Sequence, residues 1–171
     1  IRPDAASVNA LMQVAHDCPS GAITYVPRDP ALAERAPEVN SIRVRENGPL
    51  AVHADLRLPG LSPGFRATLC RCGQSSNKPY CDGSHNAAGF AATGEPPTGV
   101  VDPLAVCNGP LAVTPLQDGP LRVVGNLELC AGTGRSVLRA QSVRLCRCGH
   151  SRNKPLCDGS HATAGFRADG A

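Results

Sequence analysis

Sixteen residues from Cys70 to His85, CRCGQSSNKPYCDGSH, return almost unchanged from Cys146 to His161 as CRCGHSRNKPLCDGSH. In each copy a Cys-x-Cys pair is followed by eight residues, a third Cys, three more residues and a His. Three thiolates and one imidazole crowded into one short loop are soft and borderline donors, and their shared use is to hold a metal. Any fold open to this chain must therefore present two such loops, each with its four donors turned inward.

The rest of the composition suits a fold stapled by those sites. Aromatic residues make up only 3% of the 171 residues, Trp is absent, and 18 Gly and 16 Pro spread turns along the chain. A small, turn-rich core of this kind leans on metals or disulfides. Nine Cys is an odd count, so they cannot all pair internally. Pairing the six loop cysteines with one another would also leave the matched His positions without a purpose. The expected home is a reducing compartment, either the cytoplasm or, in a eukaryote, the mitochondrial matrix. A net charge of +3 is too small to argue for nucleic acid or a membrane surface. No signal peptide and no apolar run near the ~18 residues of a membrane span is visible.

Residues 4–16 read as a helix, with Val8, Leu11, Met12 and Ala15 on one stripe and Pro3-Asp4 as its opening signal. Cys18-Pro19-Ser20-Gly21 reads as a turn and Ala22 to Val26 as a short strand. The Cys-Pro step resembles the closing ligand segment of ferredoxin-like [4Fe–4S] domains. The other three ligands are missing, so residues 1–26 are expected to be a cluster-free, truncated ferredoxin-like helix–strand segment. Three Pro within residues 27–40 mark a linker.

A longer repeat then emerges. Leu50 to Leu58 and Leu121 to Leu129 each follow a Gly-Pro turn and alternate apolar with other residues at period two, the pattern of a half-buried strand. His53 falls on the outward face. Second strands are expected at Phe65–Cys72 and Val143–Cys148, leading into the two loops. Pro49 and Pro120 are 71 residues apart but Cys70 and Cys146 are 76 apart, so the intervening loop is longer in the second copy. Between the copies, Val100–Val106 and Leu111–Val113 read as further strands. The resulting divisions are a first unit at 41–94, connecting strands at 95–117 and a second unit at 118–171. Cys107 and Cys130 are expected as buried structural thiols.

Residues i and i+2 of an extended backbone share a face, so Cys70 and Cys72 can grip one metal ion while Arg71 points away. Gly73 allows the turn that follows, and its N–H can donate to sulfur. Asp82 caps a helical turn that sets Cys81 and His85 on one side at i and i+4. Two donors from a strand facing two from a helical turn suit a binuclear cluster. The competitor is structural zinc, a Cys3His site that would make the chain a zinc-stapled interaction module. Zinc sites usually space their first pair by two to four residues, and here only one intervenes. A visible spectrum separates the two, since zinc sites are colourless.

The pattern C-x-C-x2-S-x3-P-x-C-D-G-S-H, present twice, resembles the mitoNEET-like CDGSH iron–sulfur domain family, over roughly residues 41–94 and 114–171. That resemblance implies a small β-rich fold of two pseudo-symmetric units sharing a β cap, joined here to a short N-terminal α/β segment. It implies two [2Fe–2S] clusters, one held by Cys70, Cys72, Cys81 and His85 and the other by Cys146, Cys148, Cys157 and His161. In each, the first two Cys would bind the inner iron, and Cys with His the outer one. Single-motif members are homodimers, and two-motif members are monomers that mimic the dimer through an internal two-fold.

The expected function is one-electron transfer, with cluster or iron transfer as a second use, and the expected partners are redox or iron–sulfur acceptor proteins. No nucleic acid, membrane or intrinsic catalysis is indicated, although service as an electron-transfer subunit of a larger oxidoreductase is compatible with the same residues. Exchanging one thiolate for a neutral imidazole removes a negative charge and makes adding an electron easier. Two-His Rieske centres lie at about −150 to +300 mV against roughly −400 mV for plant-type ferredoxins, and one His should shift the potential part of that way. Lys78, Arg71, Arg152 and Lys154 would push the same way, or else form a solvated charged loop. The second ring nitrogen of His85 and His161 can couple reduction to proton uptake, and acid should release the metal at that ligand. His85→Cys and His161→Cys are therefore expected to retain clusters longer at mild acid and to have lower potentials. Equal acid lability in absorbance decay would contradict this. Gln74 against His150 and Ser76 against Arg152 are the main loop differences, and His150 reads as exposed loop polarity.

Overall fold

Alternating Leu and Val along two matched segments build the centre of the molecule. The computed structural model describes residues 5–60, 64–99, 101 and 103–171. β1 (Ser41–Val44), β2 (Leu50–Arg57) and β3 (Gly64–Leu69) come from the first copy. β4 (Pro110–Pro115), β5 (Leu121–Cys130) and β6 (Ser136–Leu145) repeat them in the second. Within each copy neighbouring strands are antiparallel, with Ile42 opposite Val52 and Val113 opposite Val123. Between copies they are parallel: β1 lies on β5, with Ile42 beside Leu129, and β2 lies on β4, with Leu56 beside Leu111. β1, β2, β4 and β5 thereby close into a four-stranded ring, while β3 extends β2 and β6 extends β5.

The ring is filled by one side-chain face of every strand. Ile42, Val52, Leu56, Leu111, Val123 and Leu129 are all buried in a single cluster. Each large aliphatic side chain removed from water contributes about 1.5–3 kcal/mol, so the shared interior is what holds the two copies together. The small β-rich fold with two pseudo-symmetric units and a common cap is as expected.

The polar side chain of Asn40 is also buried among these strands. Asn40, 0% exposed, donates from Nδ2 to the carbonyls of Gly109 at 2.8 Å and Asn126 at 2.9 Å, and its Oδ1 accepts from the Asp55 N–H at 3.0 Å. It ties β2, β5 and the entry to β4 at the point where the copies cross. The aligned residue of the second copy is Leu111, so the tie exists once. Asn40→Ala leaves three half-buried backbone groups without their partner and is expected to cost about 1–3 kcal/mol, read as a lower denaturant midpoint.

Several expected elements differ. The helix, α1, runs Val8–Asp17, and its cap is Ser7, whose hydroxyl accepts from the Ala10 N–H. Pro3-Asp4, the expected opening signal, lies outside the described residues. Of the stripe, only Ala15 is buried, and Val8 is 60% exposed. Residues 22–26 carry no strand, and the Ile23 carbonyl accepts from the buried Arg66 guanidinium rather than from a neighbouring strand. Tyr25 instead hydrogen-bonds His16 Nε2 and the Leu32 carbonyl. The 27–40 stretch is anchored rather than loose, with a 3-10 turn at Pro30–Leu32 and Glu34 paired bidentately to the buried Arg66. The described residues of 100–106 form no strand, Val100 and Asp102 lying outside the description, and β4 begins only at Pro110. β1 was not expected at all. β3 stops at Leu69, before the cysteines, and β6 begins at Ser136 because the longer second loop has become strand. His53 is exposed on β2 as expected.

Candidate metal centre

Each loop folds back on the strand that leads into it. The Cys70 N–H donates to the Pro79 carbonyl at 2.8 Å, and the Cys81 N–H donates to the Thr68 carbonyl at 2.9 Å. Cys146 with Pro155 and Cys157 with Arg144 repeat both bonds at 2.8 and 2.9 Å. A donor at the start of the loop and one near its end are thus pinned to the same strand. Lys78–Pro79 and Lys154–Pro155 are cis peptides. Ser75, buried, donates to the Tyr80 carbonyl at 2.6 Å and accepts from the Asn77 N–H at 3.1 Å. Ser151 does the same with Leu156 and Asn153 at 2.6 and 3.0 Å.

After the third Cys, the backbone turns through Gly83 and Gly159 into α2 (Ser84–Ala87) and α3 (Ser160–Thr163). Asp82 Oδ1 accepts from the Ser84 N–H at 3.0 Å and Oδ2 from the Ser76 N–H at 2.8 Å. Asp158 repeats this with Ser160 and Arg152 at 3.0 and 2.8 Å. Hydrogen bonds from the serine hydroxyl and these backbone groups hold both carboxyls well below the usual carboxylate range. Each Asp therefore clamps the two ends of its loop as an ionised acceptor. It stands one residue before the Gly N-cap rather than capping the helix itself.

The donors come together as pairs. Cys70 and Cys72 Sγ are 3.7 Å apart, as are Cys146 and Cys148. Cys81 Sγ is 3.4 Å from His85 Nδ1, and Cys157 Sγ is 3.4 Å from His161 Nδ1. Two thiolates about 2.3 Å from one tetrahedral ion lie about 3.7 Å apart, and a thiolate with an imidazole nitrogen about 3.5 Å apart. Both pairs fit a tetrahedral ion without rearrangement. Among the described residues, no three His, Cys, Asp or Glu side chains converge on a single ion. The donor set is two plus two in each loop.

The pairs differ in exposure. Cys70, Cys72, Cys146 and Cys148 are buried, whereas Cys81, His85, Cys157 and His161 are half-buried. Burial pushes the Cys72, Cys81 and Cys148 thiols above their ordinary range, so a metal must displace protons to bind. The N–H reaching Cys72 sulfur is that of Gln74, at 3.4 Å, rather than that of Gly73, and His150 N–H does the same for Cys148. The His150 residue itself is exposed.

The family model described as iron-binding zinc finger CDGSH type matches residues 37–86 and again 118–162. The chain belongs to this family. No curated protein matches the chain at a significant level. Iron is thus the metal its CDGSH loops are associated with, and three thiolates with one imidazole per loop are donors suited to an iron–sulfur cofactor.

One residue of each CDGSH loop has a structural role that the sequence did not reveal. Arg71 and Arg147, the central residues of the Cys-Arg-Cys steps, are each 1% exposed, not part of a solvated charged loop. Arg71 donates to the carbonyls of Gly48, Thr93, Arg45 and Ala92 at 3.0, 3.1, 2.6 and 3.2 Å. Arg147 donates to Gly119, Asp169, Leu116 and Ala168 at 3.0, 3.0, 2.6 and 3.4 Å. Each guanidinium also lies over a ring, Phe90 at 5.3 Å and Phe166 at 5.4 Å. Burial lowers both pKa values, yet an arginine stays charged. The signal was present: both copies keep Arg between the cysteines and Phe nineteen residues later.

The remaining cysteines stand apart. Cys130 is buried, Cys107 only half-buried, and neither belongs to a metal-holding group among the described residues. Cys18 is half-buried, and the Ser20 hydroxyl at 3.3 Å lowers its pKa to about 7.

Proposed function

We propose that each CDGSH loop holds a [2Fe–2S] cluster, with Cys70 and Cys72 (Cys146 and Cys148) on the buried iron and Cys81 with His85 (Cys157 with His161) on the outer iron. The protein then passes single electrons to redox or iron–sulfur acceptor proteins, with cluster transfer as a second use of the same sites. One observation carries the reading: each site is two tetrahedral half-sites, Cys–Cys at 3.7 Å and Cys–His at 3.4 Å, with no third donor converging on either among the described residues. A mononuclear zinc site would need all four donors around one point. When bound, the cluster supplies one-electron chemistry.

The chain's own residues divide the work. The buried cysteines and the apolar cap above them exclude water from the inner end. The Cys–His end is half-exposed and is the face an acceptor protein can approach. His85 turns Nδ1 toward Cys81, leaving Nε2 on the side of the Gly48 turn, 3.8 Å from a β-carbon built there. That nitrogen can exchange a proton as the charge of the site changes. The internal two-fold supports a monomer. No described helix is long and apolar enough to cross a membrane. A reducing compartment, cytoplasmic or mitochondrial, suits nine unpaired thiols.

Iron and acid-labile sulfide assays on anaerobically isolated protein test the reading, alongside its visible spectrum. About four of each per chain are expected for two [2Fe–2S] sites. A colourless protein carrying zinc would replace this reading with that of a stapled interaction module.

A further inference from the structure

The two sites touch through their backbones. Cys72 and Cys148, one buried donor from each loop, form an antiparallel bridge across the internal two-fold. The next residues interlock: Gly73 and Gly149 both have φ of 83°. A β-carbon built on Gly73 would lie 2.5 Å from the Cys148 carbonyl oxygen, and one on Gly149 would lie 2.5 Å from that of Cys72. Neither position can carry a side chain while the bridge is intact. Immediately beyond each glycine, the N–H of Gln74 or His150 donates to the sulfur of the same loop's second Cys at 3.4 Å. Each donor loop is therefore in direct backbone contact with a ligand residue of the other site.

We propose that the two sites load as a linked pair, filling of one raising the affinity of the other through the Cys72–Gly73 and Cys148–Gly149 seam. This rests on the two-cluster reading above and adds its regulation. The mechanism is ordering: a metal on Cys70 and Cys72 immobilises the strand of the seam that Cys148 pairs with, so the second loading finds one of its donors already in place. Couplings of this kind span about 5- to 150-fold in affinity. The link is reciprocal, as thermodynamic linkage between two binding events requires.

Metal-free protein supplied anaerobically with ferrous iron and sulfide, at half the amount that fills both sites, distinguishes the outcomes by native mass spectrometry. Independent sites leave about half the chains singly loaded. A five-fold or stronger coupling lowers that share to about one third or less, the remainder being empty or doubly loaded. The statistical half overturns the linkage while leaving two clusters standing. No mass gain at all overturns the cluster reading and the linkage with it. A second arm uses a chain whose second site is disabled by Cys157→Ser. First-site loading in that chain is expected to need about two-fold or more higher free iron and sulfide at its midpoint than loading of the unaltered chain, because no second loading assists it. Unchanged first-site loading in that chain overturns the proposal.

Discussion

Arg71→Leu is expected to lower the unfolding free energy by about 4 kcal/mol. Removing a buried partner leaves its acceptors unsatisfied at about 1–3 kcal/mol each, and four carbonyls lose theirs here. Partial access of water to the outer ones keeps the total below the simple sum. The stability of an ordinary domain is about 5–15 kcal/mol, so the variant sits near the edge of folding. Arg71→Lys keeps the charge, but one ammonium cannot reach carbonyls fanned around a planar guanidinium. About half the loss should remain. Arg147→Leu should match Arg71→Leu, since its four acceptors sit at equivalent positions. Denaturant midpoints measure all three, and a loss below about 1 kcal/mol in Arg71→Leu would show that the carbonyls are satisfied otherwise.

Gly125→Ala is expected to be as damaging, for a steric reason. Gly125 lies within β5 at φ of 131°, and a β-carbon there would collide with the Pro110 carbonyl oxygen. That oxygen and the adjacent Leu111 Cα are backbone and cannot swing aside. Left-handed strain adds about 1–3 kcal/mol and overpacking about 1–3 kcal/mol more. The aligned residue in the first copy is Ala54, fully buried and without a positive φ. Ala54→Gly should therefore cost only about 1 kcal/mol. Thermal unfolding of the pair checks the contrast. Equal losses would place the strain elsewhere in the ring.

The local parts of this molecule were legible in the sequence, and the non-local parts were not. Ligand spacing in Cys70–His85 and period-two alternation in Leu50–Leu58 each reflect neighbours a few residues apart. Their geometry follows from the pleat and the helical turn. β1 is four residues long, with Arg43 between Ile42 and Val44, and becomes a strand only because β2 and β5 flank it. Ala22–Val26 has the composition of a strand, but its Ile23 carbonyl is taken by the side chain of Arg66, far along the chain. Arg71 reads as surface charge until the carbonyls of the Arg45–Gly48 turn and of Ala92–Thr93 are brought around it by contacts more than twenty residues away. The seam at Gly73 and Gly149 needed both loops in place at once. It could be foreseen only by asking why both copies keep Gly after the second Cys.

The ring closes only where one copy lies against the other. Severed from its twin, either half would present raw strand borders with unanswered donors and acceptors, β1 and β2 in one case and β4 and β5 in the other. Such borders seek a second chain. A separately produced half is thus destined for self-association, and two halves mixed together should knit back into the whole without a covalent link.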